Sequence, residues 1–508
     1  MAACPYAIQR NKIKIPFISL RKMSPTIIII SLSIYFGLLL YVAYHTSKNA
    51  SNETFFIGNR KSPWFLVAYG MIGASLSGVT FISVPGWVGS SQFSYMQMVF
   101  GYLAGYLVIG TVLMPMYYRL KLMSIYKYLD TRFGNHAYKT GALFFLLSRT
   151  IGSAFRLFLS VNVLYLVLFQ HLAVPYWISV LFIVLFIYLF TFKGGIRTVV
   201  FTDTIQTTFL LASLIGCIYI ISSELHIGAG DFIERISNSP YSKMFFWESL
   251  SDKQHFLRQF ISGAFIAIVM TGLDQDLMQK NLSCKNLKDA QKNMFWFSIT
   301  LLPVNLLFLT LGALLYIFAT TTGMAMPKLS DDLFPMIATM DFMPPLLTII
   351  FILGLVSSTY SSADSALTAL TTSFTLDILD ASKHGELYVT KSRKIVHIGM
   401  ALLLVALILV FRAVNNQSVI SAVFTVAGYT YGPLLGLYSF GLFTKRKVND
   451  RLVPYIAVAA PVLCLVIKLL SDNNLIAYKP GFELLILNGL ITFTGLLIVS
   501  FLWNRKTQ

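Results

Sequence analysis

The chain has 508 residues, of which 56% are hydrophobic and only 12% are charged, and its mean hydropathy is +0.71. A soluble globular protein carries about twice that share of charged residues, so the composition excludes a soluble enzyme and predicts an all-α polytopic membrane protein. The net charge of +18 does not indicate a nucleic-acid partner, because the basic residues lie in short loops between apolar segments.

Windows of about 20 apolar residues predict 13 membrane spans. Their predicted bounds are 25–46, 64–90, 94–118, 140–170, 175–192, 199–222, 258–280, 294–323, 343–378, 395–411, 416–442, 452–471 and 483–503. Lys and Arg concentrate in alternate loops, which the positive-inside rule assigns to the cytoplasm. We therefore expect a bacterial inner (plasma) membrane protein with a cytoplasmic C-terminus and an external N-terminus.

The first 22 residues conflict with this orientation, because they place five basic residues on the side that disfavours positive charge: Arg10, Lys12, Lys14, Arg21 and Lys22. No small-residue cleavage site follows the apolar run, which argues against a signal peptide. We predict that residues 1–22 are an untranslated extension and that translation starts at Met23. The first helix (23–47) and the last two (452–508) are expected to be peripheral.

The ninth span carries an unusual number of hydroxyl groups for a membrane helix. At 100° per residue, one face of it presents Ser358, Ser361, Ser362, Ser365 and Thr372. Such a stripe faces protein or water rather than lipid, and its oxygens suit a small hard cation. Close helix packing, or hydrogen bonds back to the helix's own carbonyls, is the alternative interpretation.

The second span contains many helix breakers: Gly70, Gly73, Gly78, Pro85, Gly86 and Gly89. Together they predict an interruption near Gly78–Pro85, which exposes backbone carbonyls where a transport site lies. A kinked but continuous helix, with glycines for packing, is the alternative. The seventh span repeats the pattern, since Gly272 precedes Asp274 and Gln275.

The two interrupted helices lie five spans apart, which fits an inverted repeat. Spans 2–6 (64–222) form the first unit and spans 7–11 (258–442) form the second. Transport sites then lie at the interface between the two units.

Several ionisable side chains fall at membrane depth, where they are costly and usually functional. Arg149 and Arg156 share a face of span 4, and the deeper Arg156 either clamps a substrate carboxylate or pairs with Asp203 or Asp274. Asp203, on one face with Gln206, is a cation ligand, a proton acceptor or half of an ion pair. In span 11, Thr425, Tyr429 and Tyr431 contribute either to a gate and substrate contact or only to packing.

Six segments occur in the same order as the motifs of a known family. They are FFIGNRKSPW, GASLSGVTFISVPG, GGIRTVVFTDTIQ, GLDQDLMQKNLSCKNLKDAQ, GLVSSTYSSADSALTALTTSFTLDI and YGPLLGLYSFGLFTKR, and they cover roughly residues 50–450. Together they resemble the sodium/solute symporter family, which includes sialic acid, sugar, iodide and monocarboxylate carriers. The resemblance implies a five-plus-five inverted repeat with two discontinuous helices, one helix before it and two after it.

The resemblance also implies a sodium site between spans 2 and 9. Its ligands are the carbonyls of Gly78, Phe81 and Ser358 and the hydroxyls of Ser361 and Ser362. The family more often has alanine at the Gly78 position, a departure expected to cost little because only the carbonyl is used.

A second sodium site occurs in some members of the family and would use Asp203 and Ser365 here. One hydroxyl of that site is replaced by the Asp364 carboxylate, and whether this strengthens or abolishes the site is open.

Substrate contacts carried over from the family are Pro85, Arg156, Asp274 and Gln275, to which we add the two span 11 residues Thr425 and Tyr429. Pro85 stands where sugar carriers tend to have glutamine, and Arg156 favours an organic anion. We predict a monomeric secondary transporter that moves a small solute into the cytoplasm with sodium. Proton coupling is the alternative mechanism, and an integral-membrane enzyme or a sensor is the alternative class.

Overall fold

The computed structural model describes residues 25–48, 50–228, 230–341, 343–414, 419–476 and 478–506. The predicted N-terminal extension 1–22 and the start at Met23 lie outside the described residues. The helices that frame the site are α1 (Pro25–Thr46), α2 (Trp64–Ser75), α3 (Gly78–Ser91), α4 (Tyr95–Arg119), α5 (Asn135–Phe169), α6 (Tyr176–Thr191), α7 (Gly195–Glu224), α8 (Phe256–Gly272), α9 (Gln275–Leu282), α10 (Leu287–Thr322), α11 (Pro345–Ile378), α12 (Glu386–Val414), α13 (Val419–Thr430), α14 (Gly432–Phe443), α15 (Val453–Asp472) and α16 (Leu484–Lys506).

The all-α polytopic architecture predicted from composition is confirmed. Within the described residues, nine helices are long and apolar enough to cross a membrane, and three bent helix pairs each supply one further span. The apolar helix α6 is shorter than these but lies where the fifth span is predicted. Each predicted span therefore corresponds to a helix or a bent pair.

The interruptions fall close to, but not at, the predicted residues. The second span bends by 55° between α2 and α3, at Leu76 and Ser77, so Pro85 lies inside α3 rather than at the break. The seventh span bends by 64° between α8 and α9. A third bend of 44°, at Tyr431, separates α13 from α14.

Helix α11 is the centre of the bundle, and its residues 354–373 are all buried. It packs against α7, α5 and α3, so its hydroxyl stripe faces protein on every side. Helix α1 also contributes to this packing, because Tyr35 and Leu39 on one of its faces are 1% and 0% exposed. The expectation that the first helix is peripheral therefore holds only for its opposite face.

The loops rich in Lys and Arg meet at one end of the bundle, called here the basic end. Hydrogen bonds join these loops in pairs: Arg60 with Leu122, Ser62 with Ser283, and Lys139 with Asp380. The loops at the other end also contact one another, since Arg258 donates to the carbonyl of Lys479. The basic loops and the loops between them in the sequence thus lie at opposite ends of the bundle.

Candidate functional site

The break between α2 and α3 lies directly against the hydroxyl-rich helix α11. A Cβ atom added at Gly78 would lie 2.5 Å from Ser160 Oγ and 2.5 Å from Thr359 Oγ1, and these two hydroxyls hydrogen bond to each other. Because both oxygens are attached directly to Cβ atoms in packed helices, they have little freedom to move aside. Glycine at this position therefore lets the start of α3 approach α5 and α11 closely.

Pro85 changes the hydrogen bonding of the predicted ion ligand Phe81. In an α-helix the N–H of residue 85 would donate to the carbonyl of residue 81, but proline has no N–H. The Phe81 carbonyl thus lacks its usual helical donor. Pro85 itself packs against α10, where its carbonyl lies 2.6 Å from a Cβ built on Gly312.

The three serines of the predicted sodium site are buried, and each hydroxyl has a defined acceptor. Ser361 donates to Asp203 Oδ1 at 2.6 Å, Ser362 donates to the Thr359 carbonyl at 3.0 Å, and Ser358 donates to the Leu355 carbonyl at 2.9 Å. A hydroxyl that donates its hydrogen keeps two lone pairs. The arrangement therefore leaves the oxygens of Ser361 and Ser362 able to accept a cation.

Asp203 forms an ion pair that the sequence did not reveal. Lys280 Nζ lies 2.5 Å from Asp203 Oδ2, and the two side chains are 1% and 0% exposed. Lys280 is the last residue of predicted span 7, and the 64° bend carries α9, with Lys280, back into the bundle. Both carboxylate oxygens of Asp203 are thus engaged, one by Lys280 and the other by Ser361.

The second predicted ion site, around Asp203 and Ser365, also contains the carboxylate of Asp364. Asp364 Oδ1 accepts from the Ser365 backbone at 2.5 Å, and Oδ2 lies 3.5 Å from Gln206 Nε2. Asp364 is fully buried and forms no ion pair with another described residue. The Ser365 hydroxyl and the Gln206 carbonyl oxygen are buried without a hydrogen-bond partner.

A second buried ionic cluster surrounds the other interrupted helix. Arg149 pairs with Asp276 and lies 3.8 Å from Asp274, while Tyr431 donates to Asp274. Asp274 also caps α9 by accepting from the backbone of Asp276 at 2.8 Å. The cluster ties α5 to α9 and to the bend at Tyr431.

Arg156, one of the two span 4 arginines, lines a small cavity beside Arg149 and the break in the second span. The cavity measures about 90 Å³ and is also lined by Ser77, Tyr95, Thr271 and Asn305. Among the described residues Arg156 forms no ion pair, in contrast to Arg149 seven positions earlier. It therefore presents an uncompensated cation beside the break in the second span.

The remaining predicted substrate contacts lie away from this cavity. Gln275 is bound to the loop after α4, accepting from the Ile125 backbone and donating to the Met123 carbonyl, both at 2.9 Å. The Tyr429 carbonyl accepts from Asn488 at 2.8 Å. Thr425 lines a separate cavity, described next, and Pro85 and Asp274 have the partners given above.

The larger cavity, called here the vestibule, measures about 570 Å³ and lies at the end opposite the basic end. It is lined by residues of α3, α8, α13 and α15, by Lys253 and Gln254 before α8, and by Asn474 and residues 479–484. Phe424 lines both the vestibule and the smaller cavity that contains Arg156. The side chain of Phe424 thus lies at the boundary between the two spaces.

The basic end is closed by hydrogen bonds in the described structure. The buried carboxylate of Asp377 accepts from Ser124 at 2.7 Å, from Tyr138 at 2.8 Å and from Ser373 at 2.6 Å. Lys139 bonds Asp380 at 2.8 Å. Partial burial raises the pKa of Asp380, but the nearby ammonium groups outweigh burial and leave that pKa below its ordinary value.

A bundle with interrupted helices, a vestibule at one end and a sealed opposite end defines a membrane transporter rather than an enzyme. The sequence matches the model of the sodium:solute symporter family over residues 55–451, and the chain belongs to that family. The all-helical fold, with its interrupted helices, agrees with that of its structural relatives.

Individual relatives are distant but match most of the chain. The chain is 24% identical to a sodium/sialic acid symporter of Aliivibrio fischeri, covering 88% of this chain and 89% of that protein. It is 25% identical to a sodium/glucose cotransporter of Vibrio parahaemolyticus, covering 91% and 89%, and 23% identical to the human sodium/iodide cotransporter, covering 80% and 64%.

The fold matches a solved sodium-coupled sialic acid symporter in a substrate-bound, outward-open state. The TM-score is 0.80 at 19% identity, with 94% of this chain and 98% of that one covered.

Proposed function

We propose that this chain imports a small organic anion into the cytoplasm together with sodium. The observation that carries the solute class is Arg156, a cation that forms no ion pair among the described residues and lines a cavity beside the helix break. A guanidinium group binds a carboxylate through two parallel hydrogen bonds. Relatives named for sialic acid and iodide carry anions, whereas a relative named for glucose carries a neutral solute.

The sodium ion is proposed to bind where the start of α3 meets α11. The ligands are the carbonyls of Gly78, Phe81 and Ser358 and the hydroxyls of Ser361 and Ser362. Two features support this site: the Phe81 carbonyl lacks its helical donor, and the Ser361 hydroxyl is turned by Asp203 so that its lone pairs remain available. Asp203 thereby acts as a partner that orients an ion ligand, as outer-shell groups do in metal sites.

A second sodium at Asp203 and Ser365 requires a rearrangement of the buried ion pair. In the described structure the Lys280 ammonium already occupies one oxygen of Asp203. A second sodium would therefore have to displace Lys280 or rely on Asp364 as its carboxylate ligand. We expect one sodium per cycle while the Lys280–Asp203 pair is intact.

Coupling follows from the position of the ion at the junction of two helices that belong to different repeats. Sodium bound there stabilises the arrangement in which the solute site is formed, so each ligand raises the affinity for the other. With the basic end in the cytoplasm, the vestibule opens to the outside. Moving one charge across 100 mV is worth about 2.3 kcal/mol, but a monovalent anion that moves with one sodium carries no net charge. The sodium concentration gradient therefore supplies the driving force.

The experiment that tests the proposal is uptake by purified protein in proteoliposomes, with N-acetylneuraminate, lactate and glucose as labelled solutes. We expect an inward sodium gradient to drive uptake of an anion, and replacement of sodium by choline to abolish it. Uptake driven by a proton gradient in choline medium would instead establish the proton-coupled alternative. Accumulation of glucose but of neither anion would overturn the assignment of Arg156.

A further inference from the structure

The vestibule has an excess of positive charge that the proposed sodium and solute sites do not use. Three lysines line it: Lys253, Lys468 and Lys479. None of the three forms an ion pair among the described residues. Lys253 and Lys479 are exposed, whereas Lys468 is half-buried near the end of α15.

The acidic residues of the vestibule do not balance these lysines. Glu483 accepts hydrogen bonds from Arg258, from Tyr478 at 3.0 Å and from the Gly481 backbone at 3.0 Å, so its charge is already compensated. Asp472 is the other lining carboxylate. Three ammonium groups against one uncompensated carboxylate leave a net charge of about +2 in the cavity, by the side-chain charges expected at pH 7.

The neutral lining suits a polar anion rather than an apolar ligand. Ser421, Thr425, Gln259 and Asn474 contribute hydroxyl and amide groups to the same wall. The cavity of about 570 Å³ lies within the size range of small-molecule sites, while the cavity beside Arg156 is far smaller at about 90 Å³. A solute entering from this end therefore meets the vestibule lysines before it reaches Phe424 and Arg156.

We propose that the vestibule is an anion-collecting site, at which a carboxylate-bearing solute is held by Lys253, Lys468 and Lys479 before it passes Phe424. The identity of the solute rests on the proposed function, whereas the accumulation of anions does not. A concave surface of one sign of charge concentrates counter-ions and increases their rate of association, and salt screens the effect. Thr425, which lies beside Phe424 in the sequence, contacts the solute at this first position and not beside Arg156.

Trp87 provides a local probe, because it lines the vestibule and is half-buried. Iodide is an anionic collisional quencher of tryptophan fluorescence and acrylamide is a neutral one. Quenching at Trp87 is measured in sodium-free buffer, with the other five tryptophans replaced by phenylalanine. If the protein with five tryptophans replaced does not fold, the quenching of Trp87 is obtained instead by subtracting the fluorescence of a Trp87→Phe variant from that of the parent protein.

The vestibule variant carries Lys253→Gln, Lys468→Gln and Lys479→Gln. The matched control removes three positive charges elsewhere on the same end, at Arg235, Lys243 and Lys328, each also changed to Gln. At about 10 mM ionic strength we expect iodide quenching of Trp87 to fall two- to fivefold in the vestibule variant only, with acrylamide quenching unchanged. The difference should shrink as salt is added.

Equal iodide quenching in the vestibule variant and the control overturns the proposal. So does a loss of quenching that persists at high salt or extends to acrylamide, since that would report altered structure. The quenching measurement does not depend on transport. A protein that imports no anion therefore refutes the proposed function, while the vestibule proposal is still decided by the quenching result. Where uptake of N-acetylneuraminate is observed, the vestibule variant should raise its KM at low salt and leave kcat unchanged.

Discussion

The two buried ionic clusters of the bundle differ in how completely their charges are paired. Around Lys280, each oxygen of Asp203 has a hydrogen-bond partner, and the two opposite charges are paired. Around Arg149, the carboxylates of Asp274 and Asp276 are engaged as well, but the neighbouring Arg156 has no carboxylate partner in the described part of the chain. Both clusters appear in the sequence as costly charges at membrane depth. Only the pairing in three dimensions separates Asp203, which we propose orients an ion ligand, from Arg156, which we propose binds the solute.

The largest effect is expected when the ion pair between Lys280 and Asp203 is broken. Lys280→Met would leave a buried carboxylate without its partner, which typically costs about 3–5 kcal/mol of stability. We expect a large fall in the melting temperature of the purified protein, partly recovered in the double variant Lys280→Met/Asp203→Asn. The exposed Lys285→Met is the control. An unchanged melting temperature for Lys280→Met would show that the pair does not hold the bundle together.

Substitution of Arg156 should weaken binding of the solute and leave the stability of the protein nearly unchanged. Removing a hydrogen bond to a charged group costs about 1.5–3 kcal/mol, so Arg156→Gln should raise the KM for the transported anion roughly 10- to 100-fold. Arg156→Lys keeps the charge without the paired hydrogen bonds and should fall between. The sodium concentration for half-maximal uptake and the melting temperature should change little. If Arg156→Gln lowered the melting temperature as much as Lys280→Met, Arg156 would stabilise the fold and would not be a solute-binding residue.

The contact between the helix break and the bundle can be tested by adding one carbon atom. Gly78→Ala would place a Cβ atom 2.5 Å from two packed hydroxyl oxygens, and overpacking of this kind typically costs about 1–3 kcal/mol. We expect lower stability together with weaker sodium activation. Gly152→Ala is the matched control, because a Cβ atom there meets nothing within 4 Å. A fully active Gly78→Ala protein would bear out the sequence-based expectation that alanine costs little.

The smallest effects are expected at the ion ligands themselves. Ser361→Ala or Ser362→Ala removes one oxygen ligand and should raise the sodium concentration for half-maximal uptake about tenfold, with expression intact. Ser357→Ala, on the same buried helix but outside the site, is the control. Unchanged sodium activation in both variants would contradict the proposed sodium site. A tenfold shift without a loss of stability would distinguish these serines from Lys280, whose replacement is expected to lower stability.

Most of the fold followed from local signals in the sequence. Apolar length located the spans, and helix breakers located the bends in the second and seventh spans to within a few residues. The bend at Tyr431 coincides with two residues that disfavour a continuous helix, Gly432 and Pro433, although we expected only two discontinuous helices. Local chemistry of this kind is readable because it acts within one or two helical turns.

Partners across the bundle could not be predicted. Lys280 ends predicted span 7, and hydropathy says nothing about a helix that turns back, so the sequence did not pair Lys280 with Asp203. Gln275 matched a family motif for substrate contact, yet its side chain is bound to the backbone at Met123 and Ile125. The only advance signal was a basic residue, Lys280, at the very end of predicted span 7.

Pro85 changes what surrounds the Phe81 carbonyl oxygen. In a regular helix such an oxygen shares its two lone pairs between an amide hydrogen and any further ligand. Because residue 85 has no N–H, the Phe81 oxygen has no helical amide to share with, and both lone pairs are available at the proposed sodium site. A residue that first bore on solute selectivity therefore bears, in the same proposal, on affinity for the driving ion.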